Sequence, residues 1–170
     1  MKTDNNIVLG YEGKTLKGFW NRRFTSVVIP SSVTEIGNGS FEGCSSLISV
    51  KIPNRVMVIG ERAFVNCSSL TSVKIPDSVT EIGDEAFKGC SSLTSVEIPD
   101  GVTVIGERAF ECCSSLISVK IPDSVTEIGE RAFEGCSSLA SLEIPEGVRR
   151  LAAMPSQVVR PSSRSRFLIV

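Results

Sequence analysis

Leu70-Thr71-Ser72-Val73-Lys74-Ile75-Pro76-Asp77-Ser78-Val79-Thr80-Glu81-Ile82-Gly83-Asp84-Glu85-Ala86-Phe87-Lys88-Gly89-Cys90-Ser91-Ser92 is one copy of a unit that recurs along the chain. Outward from this copy, Phe87 has counterparts at Phe41, Phe64, Phe110 and Phe133, and Cys90 at Cys44, Cys67, Cys113 and Cys136, each step being 23 residues. Six Ile-Pro pairs, from Ile29-Pro30 to Ile144-Pro145, and five Ile-Gly pairs, from Ile36-Gly37 to Ile128-Gly129, keep the same register. A unit this short cannot bury its own apolar face, so a fixed period of this length indicates coils that stack into a solenoid with a shared core.

Within the unit, Leu70, Val73 and Ile75 predict a brief strand whose inward residues enter the core. Pro76 lacks a backbone donor and ends it. Val79 and Ile82, three apart behind Asp77-Ser78, predict a turn that returns two more side chains inward. Gly83 is expected to supply a positive φ, and the acids Asp84 and Glu85 before Ala86-Phe87 predict the start of a short helical turn. Ser91-Ser92 are expected to hydrogen-bond nearby backbone. Stacking places like on like, so ladders of Val, Ile, Phe and Cys should run along a parallel sheet with strands about 4.8 Å apart.

The string Cys-Ser-Ser-Leu-Thr-Ser-Val-Lys-Ile-Pro-Asp-Ser-Val-Thr-Glu-Ile-Gly, from Cys67 to Gly83, resembles the leucine-rich repeat family, and within it the bacterial-surface subclass called BspA-like or Treponema pallidum-type. The resemblance covers about Phe24 to Leu151. It implies a mostly β solenoid of α/β type, right-handed, with short parallel strands on the concave side and turns or short helical segments on the convex side. It also implies adhesion to host or neighbouring-cell proteins and a location at the cell surface or outside the cell. The chain shows no apolar run of signal-peptide length and no stretch approaching a membrane span.

Three segments are expected: an N-terminal cap over 1–23, a solenoid of about five and a half repeats over 24–151, and an irregular basic tail or cap over 152–170. The first holds the only Trp (Trp20) and the only Tyr (Tyr11), with Ile7, Val8, Leu9 and Phe19, and reads as a degenerate coil covering the first repeat. In the last, Ala152 stands where the repeat has glycine and Pro155-Ser156 where it has Ala-Phe. Either Val158, Val159 and the closing Phe-Leu-Ile-Val lie over the final coil, or the tail marks where a longer array was interrupted; the loss of register favours the second. An uncovered final edge would favour a homodimer.

Apolar residues make up 41% of the chain and its net charge is −1, the profile of a folded domain without a strong field for nucleic acid or membrane. Only Arg149, Arg150, Arg160, Arg164 and Arg166 form a local basic excess. There is no histidine, which excludes His-based triads and His-ligated metals. No convergent cluster suggests catalysis, a metal or a cofactor. The six cysteines form no C-x-x-C pair. Adjacent coils would place their Cα atoms within disulfide range, but the period favours a ladder of buried thiols acting as small hydrophobes. Cys112, in the place of Gly43, Gly89 and Gly135, is expected at the surface.

The strands' outward positions fall into three files: Ile48, Thr71, Thr94, Ile117 and Ala140; then Ser49, Ser72, Ser95, Ser118 and Ser141; then Lys51, Lys74, Glu97, Lys120 and Glu143. The last two files are the candidate contact surface for a protein partner, a host or extracellular-matrix protein by the family resemblance. The competing reading is that the alternating charges neutralise one another across strands, at about 0.2–1 kcal/mol per pair, and for the charge file that reading is the stronger. Six strands at about 4.8 Å make a face on the order of 400–450 Å², against about 800 Å² per partner in a standard interface. It also lacks the aromatic and Arg anchors that dominate hot spots. Met57, Val58 and Val65 should make one coil locally more apolar. The sequence thus points to a non-catalytic binding module, adhesin-like or surface-associated. The alternative is a self-associating scaffold without a dedicated ligand.

Overall fold

The computed structural model describes residues 7–9, 14–19, 23–151 and 166–168. Fifteen short strands among the described residues fall into three sheets: β1 (Ile7–Leu9), β2 (Thr15–Phe19), β3 (Ser26–Val28), β4 (Glu35–Ile36), β5 (Ser49–Lys51), β6 (Val58–Ile59), β7 (Ser72–Lys74), β8 (Glu81–Ile82), β9 (Ser95–Glu97), β10 (Val104–Ile105), β11 (Ser118–Lys120), β12 (Glu127–Ile128), β13 (Leu142–Ile144), β14 (Arg150–Leu151) and β15 (Arg166–Leu168). The strands β3, β5, β7, β9 and β11, each beginning Ser-Val, form a five-stranded parallel sheet. Residues one period apart face each other, as Ser72 does Ser95 and Val73 does Val96. Each strand ends where its proline follows, as expected.

The Glu-Ile arc differs from the sequence reading. Val79 and Ile82 are both fully buried, but Glu81–Ile82 is a strand instead of a turn, and with its counterparts it builds an eight-stranded sheet in the order β1-β2-β4-β6-β8-β10-β12-β14. Two residues per coil are too few for a periodicity to reveal. The pairing becomes visible only when coils stack.

The segment after each Ile-Gly is also corrected, since no helix occurs among the described residues. Residues 84–89 form consecutive turns, and Glu85 sits at φ 53, which no continuing right-handed helix contains. Its N–H groups alternate between two uses. Ala86 and Lys88 donate back three residues, to Gly83 and Glu85, while Glu85, Phe87 and Gly89 donate to Glu107, Ala109 and Glu111 of the next coil. A helix would have spent all of them locally; this arc gives half to a third ladder between coils.

Gly83 is not among the positive-φ glycines. A Cβ there would lie 2.8 Å from the Glu61 nitrogen and 2.9 Å from the Gly60 carbonyl carbon, so the residue must be glycine because two backbones touch. The left-handed positions come two residues later, at Glu85 (φ 53), and six residues later, at Gly89 (φ 72), with Asn66 (φ 58) and Cys112 (φ 59) equivalent to the second.

The core is one continuous column. Phe41, Phe64, Phe87, Phe110 and Phe133 stack with centroids 4.6, 5.1, 5.3 and 5.4 Å apart and nearly parallel rings. Beside them Cys67, Cys90, Cys113 and Cys136 are buried free thiols, each donating to the carbonyl of a Phe in the preceding coil at 3.1–3.2 Å. Burial pushes the Cys90 thiol up to about 12, so it remains a protonated donor. Cys112 is exposed, as the repeat alignment indicated.

At the N-terminal end β1 pairs antiparallel with β2, and Thr15-Leu16 of β2 lie in parallel register with Glu35-Ile36 of β4. Leu16 is fully buried against the core. At the other end Arg166–Leu168 pairs antiparallel with Leu142–Ile144. Tyr11, Trp20, Val158 and Val159 lie outside the described residues.

Candidate functional site

The strand face is built by alternation. In β7 and β9 the central valine points inward, Val73 and Val96 being 6% and 5% exposed, so the flanking Ser and Lys or Glu must point out. Lys51, Ser72, Lys74, Ser95, Glu97, Ser118, Lys120, Ser141 and Glu143 are all exposed. Ser49 is half-buried because its hydroxyl donates to the Ser26 hydroxyl at 3.1 Å. The serine and charge files therefore lie on one surface. Between β9 and β11 it dips into a shallow hollow of about 360 Å³, lined by Ser95, Glu97, Ser118 and Lys120 with Val96 and Val119 at its floor. Ile48 and Ile117 stand exposed one residue before Ser49 and Ser118.

Lys74 and Lys120 flank Glu97 in strand register, yet none of the three makes an ion pair within 4.0 Å among the described residues. The opposite charges that the alternation sets side by side are thus out of ion-pair contact. The paired charges are elsewhere, along the turn arc. Arg62 meets Glu42 at 2.6 Å, Lys88 meets Glu111 at 2.7 Å and Glu85 at 3.5 Å, and Arg108 reaches both Glu85 and Glu111 at 3.8 Å. The close Glu111 carboxylate holds the Lys88 ammonium above its ordinary range, with Glu85 adding to the effect. This lattice was not anticipated from the sequence. Its signal was present in two files of opposing sign, Arg62, Glu85, Arg108 and Arg131 beside Glu42, Lys88, Glu111 and Glu134.

The apolar cluster expected at Met57, Val58 and Val65 reduces to one exposed side chain, because Val65 is 3% exposed and Val58 half-buried, leaving Met57 at 53%. Among the described residues, no group of three or more Cys, Asp or Glu converges as metal ligands would.

The repeat sequence matches a known family model, the BspA type leucine rich repeat region, in six copies over residues 16–140. This chain belongs to that family. The BspA-type solenoid is also seen in solved structures that resemble it. The crystal structure of the Treponema pallidum leucine-rich repeat protein is 34% identical with a TM-score of 0.75, over 82% of this chain and 69% of that one. A leucine-rich cell surface protein of Faecalibacterium prausnitzii is 34% identical with a TM-score of 0.72, over 88% of this chain and 49% of that one. A leucine-rich repeat protein of Bacteroides ovatus is 32% identical with a TM-score of 0.67, over 84% and 45%. The chain thus spans about half the length of the last two. No curated protein matches it. Leucine-rich repeats are in general a non-catalytic fold, and none of these relatives is described as an enzyme.

Proposed function

We propose that this BspA-type repeat is a non-catalytic, adhesin-like module that holds a protein partner against the strand face, through Ser49, Ser72, Ser95, Ser118 and Ser141 and the charges Lys51, Lys74, Glu97, Lys120 and Glu143. The observation that carries the proposal is the contrast in charge pairing. Turn-arc charges are consumed by neighbours, whereas Lys74, Glu97 and Lys120 are exposed and unpaired although their strands adjoin. Groups left free in this way steer and orient a complementary partner without first breaking an internal bond. The face is small for a tight complex, so the bound state draws on the flanking Ile48, Ile117 and Thr71 as well. The cell-surface description of the Faecalibacterium relative supports placing the module outside the cell. Residues 24–151 form the module; at its ends Thr15-Leu16 pair with β4 and Arg166–Leu168 with β13, which supports that division.

A panel of purified extracellular-matrix proteins, immobilised and probed with the whole chain, tests the proposal. Capture by at least one of them should fall tenfold or more in the double variant Lys74→Glu plus Lys120→Glu at unchanged melting temperature. Capture that is indifferent to both substitutions would overturn the assignment of the face.

A further inference from the structure

The five-stranded sheet stops at β3, and among the described residues no strand pairs with β3 on the side away from β5. β1 lies on β2 and β15 on β13, while β11 and β14 are end strands as β3 is. Toward β5, the Thr25 carbonyl accepts from the Ser49 N–H at 3.2 Å and the Ile29 N–H donates to the Lys51 carbonyl at 3.0 Å. Backbone groups alternate in direction along a strand, so the N–H and C=O of Ser26 and of Val28 face outward.

Val28 makes this edge unusual. It is 66% exposed and in register with Lys51, in the file that continues as Lys74, Glu97 and Lys120. A charged residue at an edge strand is the usual guard against pairing with another chain. Here the guard is replaced by a β-branched apolar residue, the type that favours extended pairing.

We propose that β3 is the surface through which two copies of this chain associate, pairing antiparallel about a two-fold axis at Val27 so that Ser26 of each copy lies opposite Val28 of the other. A second copy fits because the strand is self-complementary in this arrangement. Ser26 N–H meets the Val28 carbonyl across the axis, Val28 N–H meets the Ser26 carbonyl, and symmetry repeats both, satisfying all the outward groups. The contact is isologous and closes at two. Three residues a side bury far less than a standard interface, so the dimer is weak and forms at high local concentration, as on a crowded surface. Pairing would join the two sheets into one of ten strands, five from each copy. The two strand faces together then approach the roughly 800 Å² per partner of a standard interface. That consequence rests on the binding role proposed above; the dimer itself does not.

Cross-linking tests both the contact and its register. In a Cys112→Ser background, Ser26→Cys and Val28→Cys are prepared separately, then oxidised alone and as a mixture. Opposed positions have Cβ atoms about 4.5–5.5 Å apart and diagonal ones about 7–8 Å, so the mixture should give at least tenfold more disulfide dimer than either variant alone. Sedimentation should show a concentration-dependent rise in mass for the native chain that Val28→Lys removes at unchanged melting temperature. Equal cross-linking in all three samples, or a mass rise indifferent to Val28→Lys, would overturn the proposal. Loss of partner capture with dimerisation intact would instead overturn only the binding role.

Discussion

Replacing Gly83 by alanine separates two reasons for a glycine at that position. A positive φ would make alanine costly through its own backbone, but Gly83 is not in that region. The cost arises between coils: the new Cβ would meet Glu61 N at 2.8 Å, Gly60 C at 2.9 Å and Ile59 O at 3.0 Å. Contacts of this kind settle near 3.5–4.0 Å, and all three atoms are backbone, so the coils must part by several tenths of an ångström. Parting them stretches the 2.8 Å bond from Gly83 N–H to the Ile59 carbonyl. Overpacking costs about 1–3 kcal/mol and a weakened buried hydrogen bond about 1 kcal/mol, offset by about 0.4–1 kcal/mol from a stiffer unfolded chain. The net loss is about 1–3.5 kcal/mol, which at about 2–4 °C per kcal/mol for a chain of this length lowers the melting temperature by about 2–14 °C. Gly89→Asn is the control, because Asn66 already holds the equivalent left-handed position, asparagine tolerates it, and the new Cβ would press only on the movable end of the Asn66 side chain, the nearest backbone atom being 3.6 Å away. It should shift the melt by less than about 3 °C. Calorimetry or circular dichroism would read both. A Gly83→Ala melt within about 2 °C of the native chain, or a larger fall for Gly89→Asn, would refute the close-approach argument.

The aromatic column and the thiol ladder supply two further expectations. Phe87, fully buried between Phe64 and Phe110, should lose about 3–5 kcal/mol on replacement by alanine; a denaturant titration showing no loss would remove the Phe ladder from the core. Among the thiols, only exposed Cys112 should react with a maleimide reagent in the folded state, and six equal labelling rates would contradict the buried ladder. Because burial raises Cys90 from 9.0 to about 12, its thiol favours folding fully below pH 9. That contribution should disappear between about pH 9 and 12 as the unfolded chain ionises first.

Legibility in the sequence depended on whether an interaction lies inside one coil or between two. Alternation around Val73 and Val96 exposed the strands and, with them, the full candidate face. Pro76 marked their ends correctly for a local reason, a missing donor. Glu81–Ile82, the turn ladder and Gly83 differ from their sequence reading because their causes lie in the neighbouring coil. A two-residue strand has no period of its own, N–H groups donated to Glu107 and Ala109 leave no helical signature, and a glycine needed for backbone contact looks the same as one needed for φ. Val65 shares a file with Glu42, Lys88 and Glu111, and the file's charges hide from the sequence that this valine is buried.

The same distinction explains where recognition can reside. On the turn arc, Glu85, Arg108 and Arg131 each adopt positive φ, and ion pairs link Arg62, Glu85, Lys88, Arg108 and Glu111 from one coil to the next. Changing one of those charges alters coil-to-coil contacts first, so the arc's variability is constrained by stacking. On the strand face the backbone ladder and the inward valines already fix the spacing. Lys74, Glu97 and Lys120 therefore contribute little to stacking, and their signs can change with small stability cost, as exposed charges usually do. A surface whose chemistry is decoupled from its scaffold in this way can change partner without losing its fold. Val28 obeys the same logic at the sheet's edge: the stack does not require an apolar side chain there, and its presence leaves open a pairing that lysine in the same file would prevent.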